Sequence, residues 1–114
     1  MSTPQQTNLE EPFVRVDVPT ARQMIDRGQV RIIDVREPNE YAEGHIPGVT
    51  LVPLNTFLAR PRDFINEDNL LFVCAMGQRS AVACEMAAAI GFERVYNLEG
   101  GTTAWAKAGL PIEK

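Results

Sequence analysis

Four consecutive apolar residues, Leu70–Val73, are followed after six residues by a second apolar segment at 80–90 that contains five alanines. The first run is typical of a buried strand, and the second is long enough for a helix. Because nearly every residue at 80–90 is Ala, Val, Cys, Met or Ile, we expect this helix to have almost no solvent-exposed face and to pack closely against a sheet. A buried strand that leads directly into a buried helix is typical of α/β folds.

The same alternation of strand-like and helix-like segments runs along the rest of the chain. It predicts further strands at 13–16, 31–35, 50–52 and 94–98, and helices at 20–27, 37–42, 55–60 and from Gly101 through Trp105. Such an order indicates a mostly parallel sheet covered by helices on both faces. At 114 residues we expect a single domain at 13–114, preceded by a polar, flexible segment at 1–12.

Charge and hydropathy disfavour several classes of protein. The formal net charge is -4 and the Lys and Arg residues are dispersed, which disfavours binding to nucleic acid or anionic lipid. No apolar stretch approaches the roughly 18 residues that a membrane-spanning helix needs, and the first residues lack the basic and apolar parts of a secretion signal. We therefore expect a cytoplasmic protein without a nucleic-acid or membrane partner.

The chain has two cysteines, Cys74 and Cys84, and one histidine, His45. Without a secretion signal a structural disulfide is not expected, so both cysteines are interpreted as thiols. A zinc site needs at least three well-placed ligands and His45 is isolated, so the sequence predicts no metal and no cofactor. Cys84 lies among alanine and valine residues and is expected to be a small buried hydrophobe.

Cys74 is the predicted nucleophile, because it lies between the strand and the helix. At such a junction the loop N–H groups and the positive helix end converge on the sulfur, lower the pKa of the thiol and favour a thiolate. A preformed thiolate needs no general base, and Gly77 can adopt a positive φ that turns the amides toward one point. The predicted binding loop consists of Cys74, Ala75, Met76, Gly77, Gln78, Arg79 and Ser80.

Other polar residues near this junction are assigned structural roles. Asp34 and Arg36 lie at the end of the predicted strand 31–35, where Asp34 is expected to accept hydrogen bonds from backbone or arginine groups and hold neighbouring loops together. His45 is expected to fix a turn by hydrogen bonding. For Arg79 two roles stay open: binding an anion at the loop, or pairing with a carboxylate to brace the loop.

Several separated motifs occur along the chain in a characteristic order. They are Ile33-Asp34-Val35-Arg36-Glu37, Glu40-Tyr41, Gly44-His45-Ile46-Pro47-Gly48, Cys74-Ala75-Met76-Gly77-Gln78-Arg79-Ser80, and Glu99-Gly100-Gly101 leading to Trp105. With these motifs the chain resembles the rhodanese-like sulfurtransferase family over about residues 16–111. The resemblance implies a rhodanese-like fold, a small doubly wound sheet of about five mostly parallel strands, with a persulfide-carrying cysteine at Cys74.

The resemblance also implies an activity. Sulfane sulfur would pass from thiosulfate, a polysulfide or a protein persulfide to Cys74, and from there to a thiol or cyanide. The six residues from Cys74 through Arg79 match the loop of the family's sulfurtransferases, whereas the related phosphatases and arsenate reductases carry one more residue, which widens the loop for a tetrahedral oxyanion. Two alternatives stay open: a catalytically idle binding module, and, disfavoured by the short loop, a phosphatase or arsenate reductase.

Two large apolar residues bear on partners and on the core. Met76 is unusual in an anion-binding loop, and we expect it to expose an apolar edge to the donor or to a protein partner at the loop mouth. Trp105 is expected in the core. A monomer is the default expectation for so small a chain.

Overall fold

Five parallel strands form the centre of the structure, a computed structural model that describes residues 11–114. The strands are β1 Val14–Val16, β2 Arg31–Asp34, β3 Thr50–Leu51, β4 Leu70–Val73 and β5 Val95–Leu98. Their order across the sheet is β1-β5-β4-β2-β3, which places β4 at the centre, with Asp34 of β2 paired in register with Val73. The parallel α/β sheet that the sequence predicts is thus confirmed.

Helices cover both faces of this sheet, as predicted. They are α1 Val18–Asp26, α2 Pro38–Glu43, α3 Leu54–Ala59, α4 Gln78–Ala89 and α5 Gly101–Lys107, and a short 3-10 turn, Pro61–Asp63, follows α3. Side chains alternate across β4: Phe72 packs on Phe57 of α3, with ring centroids 5.3 Å apart, whereas Leu71 belongs to the opposite cluster with Ala21 of α1 and Trp105 of α5. Trp105 is 2% exposed, which confirms its predicted place in the core.

The predicted element boundaries agree with the structure to within two residues, and the capping residues explain the differences. Helix α1 begins before Thr20, because the Asp17 carboxylate accepts a hydrogen bond from the Thr20 N–H (2.9 Å) and caps the helix. Helix α4 begins at Gln78, two residues before the predicted start at Ser80, because the left-handed Gly77 ends the loop. Ser80 therefore lies in the first turn of α4.

The prediction that this alanine-rich helix has almost no solvent face is wrong. Val82 is 42% exposed, and Glu85 and Ala89 are also exposed, so solvent-facing residues recur every three or four positions along α4. A helix that covers one face of a sheet buries only one side, whatever its composition. The buried side consists of Ser80, Ala83, Cys84 and Ala87.

Residues 1–10, most of the predicted flexible segment 1–12, lie outside the described residues. Glu11 is described, and its carboxylate pairs with the Arg15 guanidinium at 2.7 Å. None of the helices within residues 11–114 is long and apolar enough to cross a membrane.

The start of α5 lies directly against the segment that follows β4. The Thr102 N–H donates to the Cys74 carbonyl (2.8 Å) and the Thr103 N–H donates to the Ala75 carbonyl (3.0 Å). This approach requires glycine at position 101, where φ is +61° and a Cβ atom would overlap the Cys74 oxygen and lie 2.5 Å from the Ala75 oxygen. The backbone around Cys74 is thus positioned by α5.

We expect Gly101→Ala to lower the free energy of unfolding by about 2–5 kcal/mol, the sum of a left-handed backbone cost and an overpacking cost. Gly28→Ala is the matched control, because Gly28 has a similar φ of +66° and no atom within 4 Å of its Cβ position. It should lose only the backbone part, about 1–2 kcal/mol. Urea unfolding of both variants measures the difference, and equal losses would contradict the steric argument.

Candidate active site

Cys74 follows the last residue of β4 and is 1% exposed. Its Sγ accepts a hydrogen bond from the Gly77 N–H at 3.0 Å, and the Ser80 hydroxyl lies 3.3 Å from it. Gly77 adopts a φ of +107°, the positive value that the sequence predicts. The short connection from β4 to α4 therefore folds back so that the helix start faces the sulfur.

These contacts determine the protonation of the Cys74 thiol. Burial raises its pKa, but hydrogen bonds from the Ser80 hydroxyl and from the N–H groups of Ser80, Gly77 and Met76 outweigh burial, and the pKa of Cys74 lies below its ordinary value. Cys84, also a free thiol, behaves in the opposite way: burial raises its pKa, and its sulfur contacts the Tyr96 carbonyl at 3.4 Å. The pKa values of the two thiols are thus shifted in opposite directions.

Arg79 pairs with a carboxylate in this structure. Its two terminal nitrogens donate to the two oxygens of Glu40 at 2.7 and 2.9 Å. The Glu40 carboxylate also accepts from the Glu37 N–H (2.9 Å) at the start of α2. The hydrogen bonds from Arg79 lower the pKa of Glu40 to about 2, and the pKa of Arg79 is raised. Of the two roles left open by the sequence, the geometry matches the brace.

Asp34 and Arg36 form a buried ion pair beside the end of β4. The Asp34 carboxylate accepts from the Arg36 backbone N–H (3.0 Å) and from its guanidinium (2.8 Å at the shortest), and Arg36 also donates to the Gly44 carbonyl at 2.8 Å. Both residues are buried, with Asp34 completely so. The pair joins the end of β2 to the turn after α2, which is the arrangement that the sequence suggested for Asp34.

His45 is held within that turn. Its Nδ1–H donates to the Tyr41 carbonyl at 2.8 Å, its ring stacks on the Tyr41 ring with centroids 3.7 Å apart, and its backbone pairs with Glu113. None of the hydrogen bonds found within residues 11–114 joins the His45 side chain to Cys74. Its place in the structure fits the turn-fixing role expected from the sequence.

One buried residue of the site, Asn97, was not predicted from the sequence. Asn97 of β5 is completely buried, its Oδ1 lies 2.6 Å from the Ser80 hydroxyl oxygen, and its Nδ2 donates to the Gly77 carbonyl at 3.1 Å. A signal was present, because an amide side chain inside the otherwise apolar strand Val95–Leu98 needs hydrogen-bond partners when buried. The amide in this strand therefore indicates a buried polar contact but does not identify its partners.

An open groove of about 410 Å³ lies beside the loop, between α2 and α5. It borders Ala75 and carries the charged side chains of Glu43 and Lys107, and the buried Thr102 hydroxyl on its wall has no hydrogen-bond partner among the described residues.

Met76 lies in the loop but does not line this groove. Its side chain is 61% exposed, which confirms the predicted apolar edge at the loop.

A sequence profile of the family described as Rhodanese-like domain matches residues 17–108 of this chain. The matched segment contains four of the five strands, β2 to β5, and the residues Gly77, Ser80 and Thr102 that hydrogen-bond to Cys74. The chain belongs to the rhodanese-like domain family. The rhodanese-like fold that its motifs suggested is thereby confirmed.

Named relatives and a solved structure agree with this membership. The chain is 35% identical over 92 residues to a protein named Sulfurtransferase from Allochromatium vinosum, covering 81% of this chain and 86% of that protein. It is 33% identical over 99 residues to Thiosulfate sulfurtransferase GlpE from Pseudoalteromonas translucida, covering 84% of this chain and 91% of that protein. A solved structure of a rhodanese-like domain protein from Staphylococcus aureus matches with a TM-score of 0.74 and 34% identity, covering 90% of this chain and 100% of that protein.

We expect the two cysteines to react differently with iodoacetamide. Alkylation of Cys74 should reach half its maximal rate at a pH below that of a free cysteine, because the thiolate reacts and its pKa is lowered; the rate should fall as the pH drops through that pKa. Cys84 should stay unmodified in the folded protein. Peptide mass spectrometry over a pH series measures both, and a Cys74 profile identical to that of a free cysteine would refute the argument.

Proposed function

We propose that this protein is a sulfurtransferase that carries sulfane sulfur as a persulfide on Cys74. The proposal rests on one observation above all: the Cys74 sulfur lies at the start of α4, where an N–H and a hydroxyl face it and favour the thiolate. The names of the relatives, Sulfurtransferase and Thiosulfate sulfurtransferase GlpE, support the same activity.

The proposed reaction has two steps. First, the Cys74 thiolate attacks the outer sulfur of thiosulfate, a polysulfide or a protein persulfide. An S–S bond forms at Cys74 and the donor's S–S bond breaks, so that sulfite, a polysulfide shorter by one sulfur, or the protein's thiolate leaves with the electron pair. Second, an acceptor thiolate or cyanide attacks the outer sulfur of the persulfide, and Cys74 leaves as the thiolate. The electron pairs balance in each step without a separate oxidant or reductant.

The backbone of the loop has a proposed part in the persulfide state. Once Sγ is bonded to a second sulfur, the negative charge lies on the outer atom. N–H groups of residues 75–80 that point into the loop then stabilise this charge without any group having to ionise. In this scheme Arg79 holds the loop through Glu40, since both of its terminal nitrogens are already engaged there.

The alternatives fit the geometry less well. A phosphatase or arsenate reductase needs a wide loop and a guanidinium directed at an oxyanion, but here the loop is short, Arg79 is paired with Glu40, and Cys74 is 1% exposed. A slim terminal sulfur suits such a buried nucleophile better than a tetrahedral group. An idle binding module would have no need of hydrogen bonds that lower the pKa of Cys74.

The donor and acceptor are proposed only by class. The groove beside Ala75 offers room for a small thiol, and the exposed Met76 offers an apolar contact to a protein that brings or takes sulfur. We keep the sequence-based expectation of a cytoplasmic monomer as part of this proposal.

Mass spectrometry of the intact protein tests the activity. After incubation with thiosulfate or a polysulfide, the wild type and Cys84→Ala should each gain one sulfur that cyanide removes, and Cys74→Ser should gain none, because an alcohol at that position cannot form the persulfide. Cys84→Ala is the matched control, since Cys84 is buried and none of the hydrogen bonds within residues 11–114 joins its sulfur to Cys74. Absence of sulfur gain in the wild type with every donor would exclude the proposal, and turnover of an aryl phosphate would favour the phosphatase.

The role of Arg79 is tested by pairing two substitutions. If Arg79 acts only through Glu40, then Glu40→Gln and Arg79→Gln should each slow the loading of sulfur on Cys74 about tenfold, equivalent to roughly 1.4 kcal/mol in the barrier, and the double variant should be no slower. Arg22→Gln, which breaks the exposed pair with Asp26 on α1, is the control and should load sulfur at the wild-type rate. If Arg79 instead binds the leaving anion, Glu40→Gln will load as fast as the wild type or faster.

A further inference from the structure

Three buried polar side chains are connected beneath the loop. The Ser80 hydroxyl oxygen lies 2.6 Å from the Asn97 Oδ1 and 3.3 Å from the Cys74 Sγ. Ser80 and Asn97 are completely buried and Cys74 nearly so, which shields the three groups from solvent. None of the hydrogen bonds within residues 11–114 joins Asn97 to the sulfur, so Asn97 acts on Cys74 through the two residues it does bond, Ser80 and Gly77.

Proton counting assigns the direction of the shorter contact. The Asn97 Nδ2 donates to the Gly77 carbonyl at 3.1 Å, so its Oδ1 is the atom that faces Ser80. An amide oxygen carries no proton, and a contact of 2.6 Å between two oxygens requires one, so the proton belongs to the Ser80 hydroxyl. While Ser80 donates to Asn97, its lone pairs remain available on the side of Cys74.

A serine hydroxyl has one proton, and two acceptors compete for it here. With the proton toward Asn97, the Ser80 oxygen can accept a hydrogen bond from the S–H of a neutral Cys74. Toward a thiolate, however, the same oxygen presents only its lone pairs, which repel the negative charge. With the proton toward Cys74, the thiolate gains a hydrogen bond, and the buried Asn97 oxygen loses its donor. An unsatisfied buried acceptor is unfavourable, so the two demands oppose each other.

We propose that Asn97 is a positioning residue that competes with Cys74 for the Ser80 proton and thereby limits how strongly the site stabilises the thiolate. When the sulfur at Cys74 is uncharged, as a thiol or as the inner atom of a persulfide, the Ser80 hydroxyl donates its hydrogen bond to the Asn97 oxygen. When the thiolate forms, the hydroxyl turns toward it. Only a rotation about the Ser80 side chain is involved, and no bond other than hydrogen bonds forms or breaks.

This competition suits a cysteine that must both attack and leave. If the thiolate of a cysteine is stabilised too strongly, it leaves readily but is a weaker nucleophile. If the thiolate is stabilised too little, the cysteine is seldom ionised. A hydroxyl that turns with the charge on the sulfur lets the site serve both steps. The inference rests on the proposed function for its purpose, but its test reads the ionisation of Cys74 and not sulfur transfer, so the two can fail separately.

Titratable groups around Cys74 do not obscure such a test. Arg79 in α4 interacts with the charge of Cys74, but its pKa is raised, so it stays a cation, and its partner Glu40 stays an anion down to about pH 2. Cys84 in α4 also interacts with that charge, and burial raises its pKa, so it stays a thiol. None of these three groups changes its charge over the range in which Cys74 ionises.

A double-mutant cycle on the full chain tests the inference. The pH profile of Cys74 alkylation is measured for the wild type, Ser80→Ala, Asn97→Leu and the double variant. If Asn97 holds the Ser80 proton, Ser80→Ala should raise the pKa of Cys74 by under about half a unit in the wild type, but by about one unit or more in the Asn97→Leu background, where the hydroxyl is free to donate to the sulfur.

The cycle separates this role from a merely structural one. Asn97→Leu also removes the hydrogen bond to Gly77, but that loss is common to both members of the Asn97→Leu pair and cancels in the comparison. Equal shifts in the two backgrounds, or a smaller shift with Asn97→Leu, would overturn the inference. If Asn97→Leu does not fold, as judged by circular dichroism, Asn97→Val provides the same cycle with a smaller apolar side chain.

Discussion

The residues that join β4 to α4 are held by hydrogen bonds on both sides of the chain, and the site depends on this. The Cys74 sulfur accepts a hydrogen bond from the Gly77 N–H, directly before α4, while the Cys74 carbonyl accepts one from the Thr102 N–H of α5. Two helices therefore begin next to the carboxyl end of the central strand β4. The left-handed backbone at Gly77 and Gly101 makes the arrangement possible. The electrostatic environment of the sulfur is thus a direct consequence of how the helices meet β4.

Two ion pairs fix the surroundings of this junction. The pair between Asp34 and Arg36 is buried, and its desolvation offsets much of its attraction, while the pair between Glu40 and Arg79 is partly exposed, where such pairs contribute about 0–1 kcal/mol. Neither is a strong source of stability. What they provide is geometry, since one holds the end of β2 to the turn at Gly44 and the other holds α2 to the first turn of α4.

The sequence predicts those parts of the site that depend on neighbours along the chain. The position of Cys74 and the positive φ of Gly77 follow from a strand, a short loop and a helix in immediate succession. The partner of Arg79 could not be predicted, because Glu40 lies on a different helix and the contact depends on how α2 packs. Asn97 gave a signal, as an amide in a buried strand, but its contact with Ser80 depends on the sheet order. The exposed side of α4 was missed because composition does not reveal how many layers cover a helix.

The central proposal is that the fold lowers the pKa of Cys74 and that the resulting thiolate takes up sulfur. The most direct measurement is the rate at which thiosulfate loads sulfur on Cys74, followed by rapid quenching and mass spectrometry over a series of pH values. The account predicts that this rate rises with the same apparent pKa as the alkylation of Cys74, below that of a free cysteine. A loading rate that is independent of pH while the thiol titrates, or that follows a different pKa, would contradict it.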